Sequence, residues 1–172
     1  MRFPTIACLF LFCITSVIHA EMTVTHPEIP SLILFDRSAS MQKDLDGELR
    51  IDVAKRFFLD WSKTLAGRDD VAVRFFAGGT NEEDERDNCF ASESVISMGQ
   101  KIHTREITAL IEGLRPIGRK TNLAYALIQA KEELRGYRRG RIILISDGLE
   151  NCDADPIPAA RELAKMGFSI DV

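Results

Sequence analysis

Apolar positions along the chain fall into alternating segments of two kinds, short continuous runs and longer stretches with helical spacing. Residues 31–35, Ser31-Leu-Ile-Leu-Phe35, form an unbroken run that ends on Asp36, the pattern of a strand buried on both faces of a parallel sheet. Ile51, Ala54, Phe57, Phe58, Trp61 and Leu65 then recur at three- and four-residue steps, and Gly67 follows, which predicts an amphipathic helix with a glycine stop. Between Asp70 and Ala77 the segment Val-Ala-Val-Arg-Phe-Phe reads as a second strand closed by Gly78-Gly79. Residues 94–98 fit a short edge strand. Thr104 is the expected N-cap of a helix with Ile107, Leu110, Ile111 and Leu114 inward, and Pro116 forbids its continuation. A further helix is expected over residues 122–135, with Leu123, Ala126, Leu127, Ala130 and Leu134 on one stripe and Gly136 as the stop. Residues 141–146 repeat the first strand's pattern and lead into Asp147-Gly148. Asp155-Pro156 opens a last helix with Ala160, Leu163 and Ala164 inward and Gly167 at its end, and residues 168–172 begin another strand. Strands alternating with helices of this length predict an α/β domain: a doubly wound, mainly parallel sheet with helices on both faces.

Residues 1–20 stand outside this pattern. Arg2 gives a positive start, residues 6–18 are almost wholly apolar, and Ala20 precedes Glu21, the layout of an export signal. The run falls short of the roughly 20 residues that span a bilayer. Removal of the segment is therefore expected, with a retained anchor as the alternative, and residues 21–30 become a polar entry to a domain over 31–172. No other run is long enough to cross a membrane, so the mature protein is expected in the periplasm or outside the cell. A chain of 172 residues, 45% of them apolar, can bury a substantial core. Losing the signal removes one of 22 basic residues and none of 26 acidic ones, leaving a net charge of −5, which argues against nucleic acid as a partner. Cys8 and Cys13 leave with the signal. Cys89 and Cys152 remain, and an even pair in an oxidising compartment points to one disulfide, with two buried thiols as the alternative.

Two of the buried strands end in carboxylates, Asp36 and Asp147, and in open α/β sheets the ligand crevice lies beyond the carboxyl ends of the strands. The string Asp36-Arg37-Ser38-Ala39-Ser40 alternates oxygen-bearing side chains with spacers, so in a tight turn Asp36, Ser38 and Ser40 can converge. Thr121, just before a predicted helix, adds a third hydroxyl. Two carboxylates, three hydroxyls and no imidazole or thiolate make an oxygen-only donor set, which suits Mg²⁺, Mn²⁺ or Ca²⁺ rather than Zn²⁺ or Cu²⁺. With only two formal negative charges around it, such an ion stays electrophilic and keeps a position for water or an incoming carboxylate. Arg37, as a spacer, is read as a solvated side chain, and the acidic run between Glu82 and Asp87 as a solvated loop. Trp61 is read as a core residue, and His103 as a polar residue preceding a helix.

Asp36-x-Ser38-x-Ser40, then Thr121, then Asp147-Gly148 resemble the metal-ion-dependent adhesion site of von Willebrand factor A domains, in order, spacing and position at strand ends, over residues 31–172. The resemblance implies that Ser38, Ser40 and Thr121 coordinate a divalent ion directly or nearly so, and that Asp36 and Asp147 often act through bound water. It also implies a protein ligand whose acidic side chain completes the coordination. Cys152, close behind Asp147, and Cys89, closing the acidic segment, are similar to the cysteines of bacterial exported A domains related to calcium-activated chloride-channel-like proteins. Location and metal are implied by that similarity, channel activity is not. Family members usually continue through a further helix and strand, so the resemblance implies a C-terminally incomplete domain. Catalysis is not expected. The alternative is a metal-dependent hydrolase or phosphatase-like enzyme, since Asp36 resembles the nucleophile of haloacid dehalogenase-type phosphatases. Those need a second aspartate where Ser38 stands, no Gly-x-Ser-x-Gly elbow is present, and the mature chain holds only His26 and His103.

Overall fold

Every residue of the first strand, β1 (Ser31–Asp36), is buried, which requires neighbours along both edges and a layer on both faces. The structure, a computed structural model, describes residues 29–78, 88–148 and 150–172. The expected signal at 1–20, residues 21–28 of the entry segment, His26 among them, and the acidic run between Glu82 and Asp87 lie outside those residues.

A 3-10 turn over Ala39–Gln42 follows β1 and leads into a small hairpin, β2 (Asp44–Leu45) and β3 (Glu48–Leu49). Its two turn residues, Asp46 and Gly47, both have positive φ, the conformation of a tight hairpin connection. β4 (Val71–Phe76) and β6 (Gly140–Ile145) flank β1 in parallel, with Phe35 opposite Phe75 on one side and Ile145 on the other. β5 (Ser92–Ile96) closes one edge antiparallel to β4, and β7 (Phe168–Asp171) extends the other edge parallel to β6. The sheet order is therefore β5-β4-β1-β6-β7.

Because strand side chains alternate between faces, β1 contributes to two separate cores. Ile33 and Phe35 pack with Ile51 and Phe58 of α1 (Arg50–Ser62) and Ile107 and Ile111 of α2 (Thr104–Gly113). Leu32 and Leu34 pack on the opposite face with Ala126, Leu127 and Ala130 of α3 (Leu123–Glu133) and Leu163 of α4 (Ile157–Lys165). This is the doubly wound, mainly parallel α/β architecture that the apolar pattern predicts. The charged residue inside β4 is also accounted for: Arg74 pairs with Glu133 of α3 at 2.6 Å and donates to Ser92 of β5. No helix among the described residues is long and apolar enough to cross a membrane.

Local differences from the sequence reading have simple causes. Phe57, expected on the inner face of α1, is 62% exposed, while Phe58 is fully buried. At 3.6 residues per turn two adjacent positions lie about 100° apart, and only one of them can point straight into the core. Leu65 is buried, but beyond the helix, which ends at Ser62. The cap of α2 falls on His103 instead of Thr104, and the edge strand begins two residues earlier than expected. At α4, Asp155 Oδ1 accepts the Ile157 N–H at 2.9 Å, so the aspartate supports the helix start from one residue outside the cap. Cys89 and Cys152 are joined, with Cα atoms 5.8 Å apart, tying the turn before β5 to the segment after β6.

Phe58 meets Phe35 and Trp61 edge-on, with ring centroids 6.1 and 5.8 Å apart. Phe58→Ala should therefore cost about 3–5 kcal/mol, read as a fall in the urea midpoint, and a cost under about 1 kcal/mol would contradict this packing. For the bridge, thiol titration of denatured, unreduced protein lacking residues 1–20 should find no free thiol. Reduction should lower stability by up to about 4 kcal/mol for a loop of this length. Two free thiols would reject it.

Candidate functional site

Asp36 has no solvent exposure, an unusual place for a carboxylate unless its oxygens are satisfied. One oxygen accepts the Ser38 N–H at 2.7 Å and the other accepts the Ser146 hydroxyl at 2.6 Å. Burial nonetheless pushes the Asp36 carboxyl above the usual carboxylate range; the bonds from Ser146 and Ser38 pull it down, and nearby Asp147 adds to the rise. Since its pKa is raised on folding, Asp36 favours the folded state most while protonated, and that contribution is lost as pH rises through the folded-state value. A cation beside the ionised group would offset the loss.

The turn after β1 is built against a second loop. Ser38 bridges to Gly118, the Ala39 N–H donates to the Gly118 carbonyl at 2.7 Å, and the Ile117 and Gly118 N–H groups both donate to the Arg37 carbonyl. Glycine is required at 118, because a Cβ there would stand 1.3 Å from the Ala77 carbonyl oxygen. This lacing leaves the Ser38 and Ser40 hydroxyl oxygens 2.7 Å apart. Thr121, also buried, is held by a reciprocal pair: its N–H donates to Asn151 Oδ1 at 2.6 Å and its carbonyl accepts the Asn151 N–H at 3.1 Å. Glu150 accepts from the Leu123 N–H at the start of α3 with one oxygen and from the Cys152 N–H with the other, so the segment after β6 is tied to the helix that follows Thr121. Ser38, Ser40, Thr121 and Asn151 line one open pocket of about 280 Å³, together with Lys43 and Arg119.

Asp147 follows β6 and lies close enough to Asp36 to act on it electrostatically. Its Oδ2 accepts from Arg50 Nη1 at 2.6 Å. Ser38, Ser40 and Thr121 thus share one pocket, Asp36 lies directly behind Ser38, and Asp147, near Asp36, lines a second groove with Arg50; Ser146, Asn151 and Arg50 are additions that the sequence reading missed. Ser146 had a signal in its position at the strand end beside Asp147. Asn151 and Arg50 had none, since each acts across the fold, 30 and 97 residues from its partner. Arg37 is not the solvated spacer expected. Its guanidinium carbon sits 5.4 Å from the Phe75 ring centroid, it pairs with Glu93 at 3.5 Å, and it is packed so closely against Gly78 that a Cβ there would lie 2.0 Å from its Nη2. A flat, weakly hydrated guanidinium tolerates such a position where an ammonium would not.

The oxygens that line this pocket belong to the Ser38, Ser40 and Thr121 hydroxyls and to Asn151, with the Asp36 carboxylate directly behind Ser38, a set suited to a hard divalent cation that keeps part of its water shell. Among the described residues no group of three or more histidine, cysteine, aspartate or glutamate side chains could hold a metal, so a centre built on those residue types alone is not found there.

The von Willebrand factor type A domain matches residues 31–150. The chain is 28% identical over 170 residues to the uncharacterized protein YwmC of Bacillus subtilis (strain 168), covering 94% of this chain and 74% of that protein. With YwmD of the same organism it shares 27% identity over 154 residues, covering 81% and 68%. Among solved structures, an aerotolerance-related membrane protein from Bacteroides fragilis NCTC 9343 superposes with a TM-score of 0.63 at 19% identity, over 83% of this chain and 65% of that one. Proximal thread matrix protein 1 from the mussel byssus gives 0.61 at 21% identity, over 83% and 37%, and the same protein is also known with a zinc-occupied MIDAS motif. The chain spans from about a third to two thirds of the length of these two solved chains, and at such identities the likeness is one of fold. Through the match over residues 31–150, and with a sheet of the same architecture, this chain belongs to the von Willebrand factor type A domain family.

Proposed function

We propose that this is an exported A domain that holds a divalent cation, Mg²⁺ or a similar hard ion, at the carboxyl ends of β1 and β6, and uses it to bind an acidic group of a protein partner. The observation that carries the reading is the convergence of the paired Ser38 and Ser40 hydroxyls and buried Thr121 on one pocket, with the buried Asp36 carboxylate directly behind Ser38 and Asp147 just beyond the neighbouring strand. The hydroxyls of Ser38, Ser40 and Thr121 would hold the ion, and Asp36 and Asp147 would supply charge, in part through water. When bound, the ion supplies a Lewis-acid position that a carboxylate from outside can occupy.

The chain's own groups keep that donor set in order. Ser146 and the Ser38 N–H fix the Asp36 carboxylate, Asn151 fixes Thr121, and the Gly118 contacts fix the turn that carries Ser38 and Ser40. Lys43 and Arg119 line the same pocket and favour an anionic ligand. Export is supported by the layout of residues 1–20 and by the disulfide, a bond that persists in oxidising compartments.

Mn²⁺ or Mg²⁺ titration of the chelator-stripped protein should show one site, and Asp36→Ala and Thr121→Ala should each abolish it while leaving the far-ultraviolet circular dichroism unchanged, since both residues sit at element ends. Affinity capture from the source's exported proteins should depend on the ion and reverse on chelation. A parallel Zn²⁺ titration decides whether the site discriminates between ions. Partner binding that survives both substitutions and excess chelator would end the adhesion-site reading.

A further inference from the structure

Arg50 opens α1, and its N–H donates to the Lys43 carbonyl at 3.0 Å, while the Lys43 N–H donates to the Ser40 carbonyl at 3.0 Å. The backbone that carries Ser38 and Ser40 therefore also positions Arg50. From there the guanidinium reaches Asp147 Oδ2 at 2.6 Å, with the Asp147 side chain 4% exposed and that of Arg50 30% exposed. Both residues line a groove of about 480 Å³ together with Met41, Leu45, Val53 and Phe57. Asp147 is almost out of water while Arg50 stays partly exposed, so the two charges are screened less than in a pair on an open surface.

We infer that Arg50 is a positioning residue that sets the charge of the ion site: by pairing with Asp147 it leaves a bound divalent cation under-neutralised, so that the ion is held weakly alone and firmly only with an anionic ligand. This rests on the cation-binding reading above and deepens it. Asp36 and Asp147 bring two negative charges, Arg50 returns one positive charge, and Lys43 and Arg119 on the pocket wall oppose the carboxylates further, so the fixed charge around the ion falls short of neutralising it. Arg50 also occupies one carboxylate oxygen of Asp147, turning that residue toward α1. Ligand charge count is a main control on the affinity of oxygen sites for hard cations. An ion left with excess positive charge binds an added carboxylate more strongly, and by reciprocity the carboxylate tightens the ion. A pair that served only to fasten α1 to the end of β6 would produce no such coupling.

The test uses Mn²⁺ as probe on the intact chain after chelator treatment, by calorimetry or electron paramagnetic resonance, alone and then with increasing acetate. In the unsubstituted protein acetate should tighten Mn²⁺ binding. Arg50→Met should tighten Mn²⁺ binding in the absence of acetate by roughly tenfold or more and reduce the effect of acetate. Arg50→Lys, which keeps the charge, should stay within about threefold of the unsubstituted protein. Unchanged or weaker Mn²⁺ binding in folded Arg50→Met overturns the inference. Should Arg50→Met fail to fold, the Arg50 side-chain nuclear magnetic resonance signals of the unsubstituted protein decide: they should shift as Mg²⁺ saturates the site, and an unmoved signal overturns the inference. The two readings fail separately. Absence of Mn²⁺ binding in the unsubstituted protein removes the cation site itself, and the inference with it. Binding that Asp36→Ala abolishes and Arg50→Met leaves unaltered removes only the role of Arg50.

Discussion

A carboxylate with no contact with solvent stands at the end of a strand with no exposed residue, and the rest of the site follows from what that costs. Asp36 is carried to its place by β1, whose apolar residues bury against helices on both faces and leave the last position of the strand no route to water. Desolvation opposes its charge, so the surrounding groups are those that stabilise a carboxylate: the Ser38 N–H, the Ser146 hydroxyl and, in the proposed function, an ion. The tight turn that brings the Ser38 N–H round to Asp36 also turns the Ser38 and Ser40 side chains onto the same side. One constraint thus orders three of the five residues singled out by their sequence pattern.

Much of the fold was legible in the chain because its signals are local. The continuous apolar runs of β1 and β6, the stripe Ala126, Leu127, Ala130 and Leu134, and glycines 136 and 167 behind their helices each depend on a few consecutive residues, and the structure uses them as read, whereas Gly67 lies past the end of α1 at Ser62 and is no helix stop. The hairpin of β2 and β3 went unread although Asp46-Gly47 is a strong hairpin signal, because its strands are two residues long and carry no apolar alternation. Phe57 was misassigned because helical spacing alone does not say which of two adjacent aromatics faces inward.

The candidate site divides along the same line. Asp36, Ser38, Ser40, Thr121 and Asp147 were found because each belongs to a short string at an element end. Their supports, Arg50 for Asp147 and Asn151 for Thr121, are contacts between segments far apart in the chain, and no pattern within either segment reports them. Arg37 is the reverse case. Its sequence position is that of a spacer, and only the sheet, by setting Phe75 beside it and Glu93 on the next strand, turns it into a packed residue.

The joint between the turn after β1 and the loop at Gly118 has a consequence for how the domain behaves as a whole. Ser38 bridges to Gly118, Gly118 lies against the end of β4, and Thr121, three residues on, is clasped by Asn151 beyond β6. The pocket therefore draws on three strands whose order in space differs from their order in the chain, and no single segment can assemble it in advance. Local melting that spared the site would have to leave all three strand ends in register, so the site shares the opening equilibrium of the entire sheet and lacks a private one. Anything that occupies it acts as a brace on the whole domain, and its grip registers in the slowest-exchanging amides of β1 and β6 as much as in the loops it touches.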